Sequence, residues 1–388
     1  LPLCYASDGI VDFCIASNPT AIVEGGNWVT PLSHDENGGY LDQYNNLRVA
    51  DHMSAYDYLA AANHKIATYG PIVKGLTWLN ANKIMTTGIS TTPTLNHEDS
   101  ILLNSVYLNG INVEATIDST GYAGHVQCGY YSDEGNPYFM LVNRRAVYQK
   151  SDISSIPLKH VDLRFNDAAP QSVCFEPDGQ SHGVFGTHIA LYDPYDEQIY
   201  KSISGVIDVE IGPGDGILLK MCSSLPSLVT NDAVLKKIAF LEGNIAIEDS
   251  AFVSISPDCT TIVKPGTSIT VRNGASLSVM GTVHIGSDVT ISIEEGASIN
   301  FDGATCSWGS GSELLVSGGS LAIDGGTWSK ADSVESWAGT RVSGSSLVVL
   351  NDTTISGAYM HLVSNSNLFI YNSDIIVPTN SWGLLLSN

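Results

Sequence analysis

The chain has 388 residues, enough for two or three domains at roughly 150 residues each. Its 40 acidic residues against 17 basic ones leave a formal charge of −23, which argues against nucleic acid and anionic membrane surfaces as partners, since both are bound through clustered Lys and Arg. A hydrophobic share of 43% separates the chain from disordered sequences, and no run approaches the roughly 18 apolar residues of a membrane helix, so membrane insertion is not expected.

The first forty residues mix short apolar runs (Ile10 to Ile15, Ala21 to Val23) with loop chemistry such as Asn18-Pro19, Gly25-Gly26 and Asn37-Gly38-Gly39, and read as one or two strands with long acidic connections. Over residues 51–69 the apolar residues Met53, Tyr56, Leu59, Ile66 and Tyr69 recur at helical spacing. They predict one long helix that ends at Gly70-Pro71. From about Leu95 to Cys222 the pattern changes to short strands, among them Ile101 to Leu108, Ile111 to Ile117, His125 to Tyr131, Tyr138 to Asn143, His188 to Tyr192, Gly205 to Ile211 and Ile217 to Met221, separated by Gly, Pro, Asp and Asn turns. Alternating faces need a second sheet to bury against, so residues 95–224 predict a β-sandwich. Ser223 to Thr230, rich in Ser and Pro, reads as a linker.

Beyond it the sequence repeats. Thr267 to Val279 is echoed by Val289 to Phe301 and again by Ser312 to Ile323, each a short alternating strand, a Gly or Asn turn and another strand, at a period near twenty. This predicts a right-handed parallel β-helix over 225–388, with Ile269, Val271, Leu277, Val279, Val289, Ile291, Ile293 and Ile299 facing inward. About seven coils at roughly 4.8 Å give a rod of order 30 to 35 Å. The repeat runs on to Asn388 without a polar cap, and the chain opens at Leu1 without Met; both are expected to mark a piece of a longer protein, or a last coil covered by another chain.

Three stretches resemble known families. Tyr56 to Trp78 resembles the closing helix of barrel-type glycoside hydrolases. Gln127 to Arg145, with Ile211 to Lys220, resembles the β-sandwich that follows such barrels. The coils with Trp-Gly, Ser-Leu and Ile-Ser-Gly-Ala are similar to surface-anchored β-helices of large bacterial secreted proteins, often of the type IX secretion kind. The resemblance implies an extracellular or cell-surface protein whose residues 1–94 are a barrel-like remnant. Most of a catalytic barrel, which needs roughly 250 residues, is absent.

Glycoside hydrolysis needs paired carboxyls, and Glu24, with Trp28 nearby to stack on a sugar, is the best placed acid; in a Gly-rich loop it is otherwise a solvated side chain. Trp308, Trp328 and Trp337 lie in the repeats, either as a row of rings for carbohydrate or as covers over glycine corners. The acidic turn of Asp193, Asp196 and Glu197 is a candidate calcium site; no other cofactor is expected. The histidines show no metal-binding spacing, and the bases of the repeat region form no cluster with acids of the kind a β-helix lyase uses. Seven cysteines without a CxxC pair predict buried free thiols, with one bridge in the middle region as the alternative.

These features predict a mainly β, non-catalytic scaffold or surface-display segment, associated with polysaccharide or a cell-surface glycan. The rivals are a self-associating fibre subunit and a polysaccharide-degrading enzyme, either glycoside hydrolase or lyase.

Overall fold

The computed structural model describes residues 40–41, 47–48, 55–84, 102–108, 126–143, 147–148, 163–164, 171–212, 215–331, 336–379 and 381–387. They fall into two compact units, one of residues 1–176, 193–198 and 208–220, the other of 177–192, 199–207 and 221–388.

In the first unit, helix α1 (Ala55–Gly75) runs through Pro71 rather than ending at Gly70-Pro71 as expected. A proline inside a helix costs about 3 kcal/mol, mainly through a lost hydrogen bond to the carbonyl four residues back and a clash with it. Here Ala67 and Pro71 both lie on the exposed side, where a carbonyl that loses its helical partner is open to solvent at less cost than in a core. Tyr69 and Val73 are buried against Tyr131, Tyr138, Met140 and Leu218, with Ile72 and Leu76 packed beside them, so burial on both sides of the proline holds the helix together. The strand Thr77–Ile84 follows directly and pairs antiparallel with Val126–Asp133. That strand turns through Glu134 and Gly135, both at positive φ, into Asn136–Asn143, which pairs in turn with Gly216 to Lys220.

A second sheet of three strands, Ile207–Ile211, Gln171–Pro177 and Leu103–Leu108, meets the first through Phe139 and Phe175, whose rings lie 5.3 Å apart. The other face of the first sheet is covered by α1, so Val126–Asp133 and Asn136–Asn143 are buried on both sides and do not alternate as the sequence pattern of a two-layer sandwich would. The described part of the first expected region thus contributes the helix and a strand of this sheet. The boundary expected near residue 94 and the expected strand Ile111 to Ile117 lie outside the described residues.

The second unit is a parallel β-solenoid of about seven turns. Its strands form three in-register ladders, one of eight strands from Leu228–Val229 to Gly383–Ser387, one of seven from Ala233–Leu235 to Asn367–Tyr371, and a third that starts at Ser223 opposite Ala239 and reaches Asp374–Ile376. Ser223 to Thr230 is the start of the first coil rather than a linker. Ser223 and Ser224 are buried, Leu225 joins the core, and Ser223 Oγ donates to the carbonyl of Ile238 at 3.1 Å.

Inward positions stack coil upon coil. One column reads Ile245, Ile269, Ile291, Leu314, Thr340, His361, Leu384; the next, two residues on, reads Ile247, Val271, Ile293, Val316, Val342, Val363, Leu386. All eight residues expected to face inward are in the buried core. Outward positions carry small polar groups, including Thr260, Thr282, Thr305, Thr327 and Thr354 in register. Ion pairs link acids on one coil to bases on the next: Glu242 to Lys264, Glu248 to Arg272 and Glu313 to Arg341. In the last coil the inward-register Ile370, Leu384 and Leu386 are 40%, 36% and 64% exposed.

His361 and Thr340 are the two polar members of an otherwise aliphatic column. His361 is 6% exposed, its ring meets Trp337 edge to face at 5.6 Å, and its Nε2 has no hydrogen-bond partner among the described residues. Burial pushes its pKa down from 6.5 to about 4. The unfolded chain takes up a proton as pH falls below about 6.5 while the folded chain stays neutral down to about 4, so stability is complete above that window and declines as pH falls through it. A shift of this size corresponds to about 3 kcal/mol. Denaturant melts at pH 7.5, 5.5 and 4.5 are expected to show this loss, and His361→Leu, which matches the column, is expected to flatten it; equal slopes in both proteins would refute the assignment.

Candidate functional site

The segment that leads into the solenoid departs from the repeat. Asp178 caps helix α2 (Gly179–Phe185) by accepting the Ser181 N–H at 2.8 Å. The helix ends at Gly186, whose φ of +99° and whose contact with Val234 exclude a side chain, since a methyl there would lie 1.8 Å from the Val234 carbonyl oxygen. Residues 185–187 then run along the first strand of the seven-stranded ladder. The Thr187 N–H donates to Val234 O at 2.9 Å and the Lys236 N–H to Phe185 O at 3.1 Å, so the free edge of Ala233–Leu235 is covered.

The chain continues into a hairpin of Ile189–Tyr192 and Ile199–Lys201, with Ala190 opposite Lys201. Tyr192 stacks on Phe240 at 3.9 Å, and Ala190, Ile199 and Cys222 complete a small core beneath. After Lys201 a tight turn through Ser204 and Gly205, both at positive φ, is closed by paired backbone bonds between Ile203 and Val206. The Ser224 N–H donates to the His188 carbonyl at 3.0 Å and the Ser202 N–H to that of Ile189 at 3.3 Å.

These bonds bring His182, His188, Lys201, Ser202, Ser204 and Ser224 around a cavity of about 310 Å³, with Pro177, Ile189 and Pro226 as apolar walls. No Asp or Glu is among the described residues that line it. Burial lowers the Lys201 pKa, opposed by the charge of Glu242; burial also lowers that of His188, with His182 adding to the effect. His182 Nδ1 lies 3.1 Å from the Gly186 carbonyl, which it meets as a donor. Ser224 is 3% exposed, and its Oγ has no hydrogen-bond partner among the described residues.

The residues singled out in the sequence lie elsewhere. Glu24 and Trp28 are outside the described residues. Trp308, Trp328 and Trp337 are fully buried, with ring centroids 4.4 Å apart for Trp308 and Trp337 and 5.1 Å for Trp308 and Trp328, so they fill the solenoid core and offer no face to a sugar. Their cause is register: Cys306 and Trp328 stack in one inward column, and Trp308 continues another from Ile285. The outward aromatic pair is Phe369 and Tyr371, 6.5 Å apart, 2° from parallel and half-exposed.

Nor does the acidic turn converge on a cation. Asp193 is buried, its Oδ1 accepting the Tyr69 hydroxyl and the Tyr195 N–H, each at 2.8 Å, while Asp196 and Glu197 are exposed. Burial raises the Asp193 pKa; the Tyr195 N–H, the Tyr69 hydroxyl and the charge of Lys65 oppose it. No group of three His, Cys, Asp or Glu suited to a metal occurs among the described residues. The described cysteines, Cys128, Cys174, Cys222, Cys259 and Cys306, are free and buried, and burial pushes the Cys259 thiol up to about 11.

Sequence reading missed Lys201, Ser202 and Ser224. The available signal was Lys201 at a strand end before the Ile203-Ser-Gly-Val206 turn, a base in a chain poor in them. No family model, curated protein or solved structure matches the chain. Because a cation that binds only the native state raises its stability, calcium and excess chelator are expected to give the same melting temperature for the full chain. A calcium-dependent rise, lost in Asp196→Asn, would restore the acidic turn as a site.

Proposed function

We propose that the chain is a non-catalytic structural scaffold, with the solenoid serving as a spacer that holds its two ends apart and presents polar faces between them. The observation that carries this reading is the unbroken stacking of three ladders around one shared core. Repeat units of this kind contribute stability through contacts with their neighbours, so length is adjustable coil by coil. Placement outside the cell, and kinship with the accessory regions of glycoside hydrolases, rest on the acidic, Lys-poor composition and the motif resemblance.

Deleting residues 282–304 removes one coil and brings Thr305 into the register position of Thr282, opposite Thr260. The shortened protein is expected to melt cooperatively and to measure about 4.8 Å less along the solenoid by small-angle scattering. The parent is expected to release neither reducing ends nor unsaturated products from neutral and acidic polysaccharides. Loss of folding on removal of the coil, or product from any polysaccharide, would overturn the scaffold reading.

A carbohydrate-associated form of the same reading is favoured by the parallel, half-exposed rings of Phe369 and Tyr371, aromatic surface of the kind that stacks on sugar faces. Retardation of the protein in gels containing a soluble glucan, lost in Phe369→Ala and Tyr371→Ala, is the expected result. Unchanged mobility in glucan, galactan and mannan gels alike removes this form and leaves the scaffold reading standing.

A further inference from the structure

We propose that the cavity beside α2 is a binding site for a small hydroxylated anion about the size of one sugar ring, held through Lys201 and Ser224. The inference is independent of the scaffold reading, because it rests on residues outside the regular stacking of coils.

Charge is the first argument. In a chain with 40 acidic residues, a cavity whose described lining holds a lysine, two imidazoles and no carboxylate is set apart from its surroundings. The Lys201 ammonium makes no side-chain hydrogen bond or close ion pair with a described residue, although it is partly removed from water; the nearest charge acting on it is that of Glu242, which is itself paired with Lys264. An ammonium in that position gains most from a ligand that brings a negative charge to it, because the surrounding medium screens the pair less than water does.

The second argument is an unpaired hydroxyl. Ser224 Oγ is enclosed and without a partner among the described residues, whereas buried polar atoms in folded proteins are almost always paired. The Ser224 main chain is bonded to His188 and the hairpin main chain at Ser202 to Ile189, so both walls are fixed by backbone before any ligand arrives. Ser224 also lines the cavity, so a turn of its side chain towards a ligand oxygen there would pair the hydroxyl.

Size and lining supply the third. About 310 Å³ is at the small end of ligand sites and suits one compact molecule. Hydroxyls at Ser202 and Ser204 suit a ligand that carries several oxygens, and Pro177, Ile189 and Pro226 offer apolar surface to a carbon skeleton. The shared chemistry is one anionic group plus hydroxyls, and the anion can be a carboxylate or a phosphate ester.

The test is calorimetric titration of the full chain at low salt and neutral pH with glucuronate, glucose 6-phosphate, glucose and inorganic phosphate. Glucuronate or glucose 6-phosphate is expected to bind at one site per chain and to weaken as salt is raised, with the better of the two identifying the anionic group; glucose is expected to bind at least about tenfold more weakly. Lys201→Met is expected to reduce affinity by about tenfold or more, and Ser224→Ala by about threefold to tenfold. Ser224→Ala removes an unpaired group and keeps the parent's melting temperature, so it remains informative even if the lysine variant fails to fold. The proposal is overturned if no probe binds, if glucose matches glucuronate, if inorganic phosphate matches both anionic sugars, or if Ser224→Ala binds like the parent.

Discussion

The constraint on which the solenoid depends is identity of position along a ladder. In parallel, in-register stacking each residue meets the equivalent residue of the coils before and after it, about 4.8 Å away. An inward position must therefore suit the same place in the next coil, and a one-residue slip would turn a whole strand's apolar side chains outward. The column from Ile247 to Leu386 meets that demand with Ile, Val and Leu alone. Where a larger ring enters, its neighbours change with it: Trp308, Trp328 and Trp337 occur within three consecutive turns and share one cluster, because a single indole among aliphatic columns would leave voids above and below.

That same constraint explains what could be read from the sequence. Positions such as Ile269, Val271, Ile291 and Ile293 are legible because the repeat supplies the alternation several times over, and each copy reinforces the assignment. The sequence puts Trp308, Trp328 and Trp337 in the repeats, yet composition does not say which side they face; the register with Ile285 and Cys306 decides it. Ser223 to Thr230 reads as a linker by its Ser and Pro content, although Ser223 spends its hydroxyl inside the structure on the Ile238 carbonyl. In α1 the local signal at Gly70-Pro71 was correct as a propensity and lost to packing of Tyr69 and Val73 on the sheet. The acidic turn carried a charge pattern suited to calcium, but a partner more than a hundred residues away, Tyr69, takes the Asp193 carboxylate.

Repetition also decides where diverse chemistry can gather. Along the ladders like sits on like, so the faces offer rows of Thr or Ser and scattered inter-coil ion pairs rather than a mixed constellation of groups. Among the described residues, a lysine, two histidines and an enclosed serine meet where the chain first enters the solenoid, in a helix, a hairpin and two tight turns that follow no period. Such segments are hard to interpret from sequence because each contact joins residues far apart in the chain, as with Thr187 and Val234 or Lys236 and Gly183. They are also where scaffolds most often carry binding groups, since a rigid element beneath fixes the loop above it.

Edge protection and cavity formation are then consequences of one arrangement. The first strand of a parallel ladder has unpaired backbone groups on its outer side, and a segment bonded across them prevents association with another strand. Residues 185–187 do this for Ala233–Leu235, and the close approach requires Gly186, where the Val234 carbonyl leaves no room for a side chain. Once the chain is committed to that path, the next residues must turn back towards the strand that feeds the first coil, which sets the His188 carbonyl against the Ser224 N–H. The hairpin that follows has to project beyond this bond, and the space between its end at Lys201 and the buried Ser224 is the cavity. Its position is thus fixed by the way the solenoid is closed, while its chemistry is set by a few side chains that the closure itself does not require.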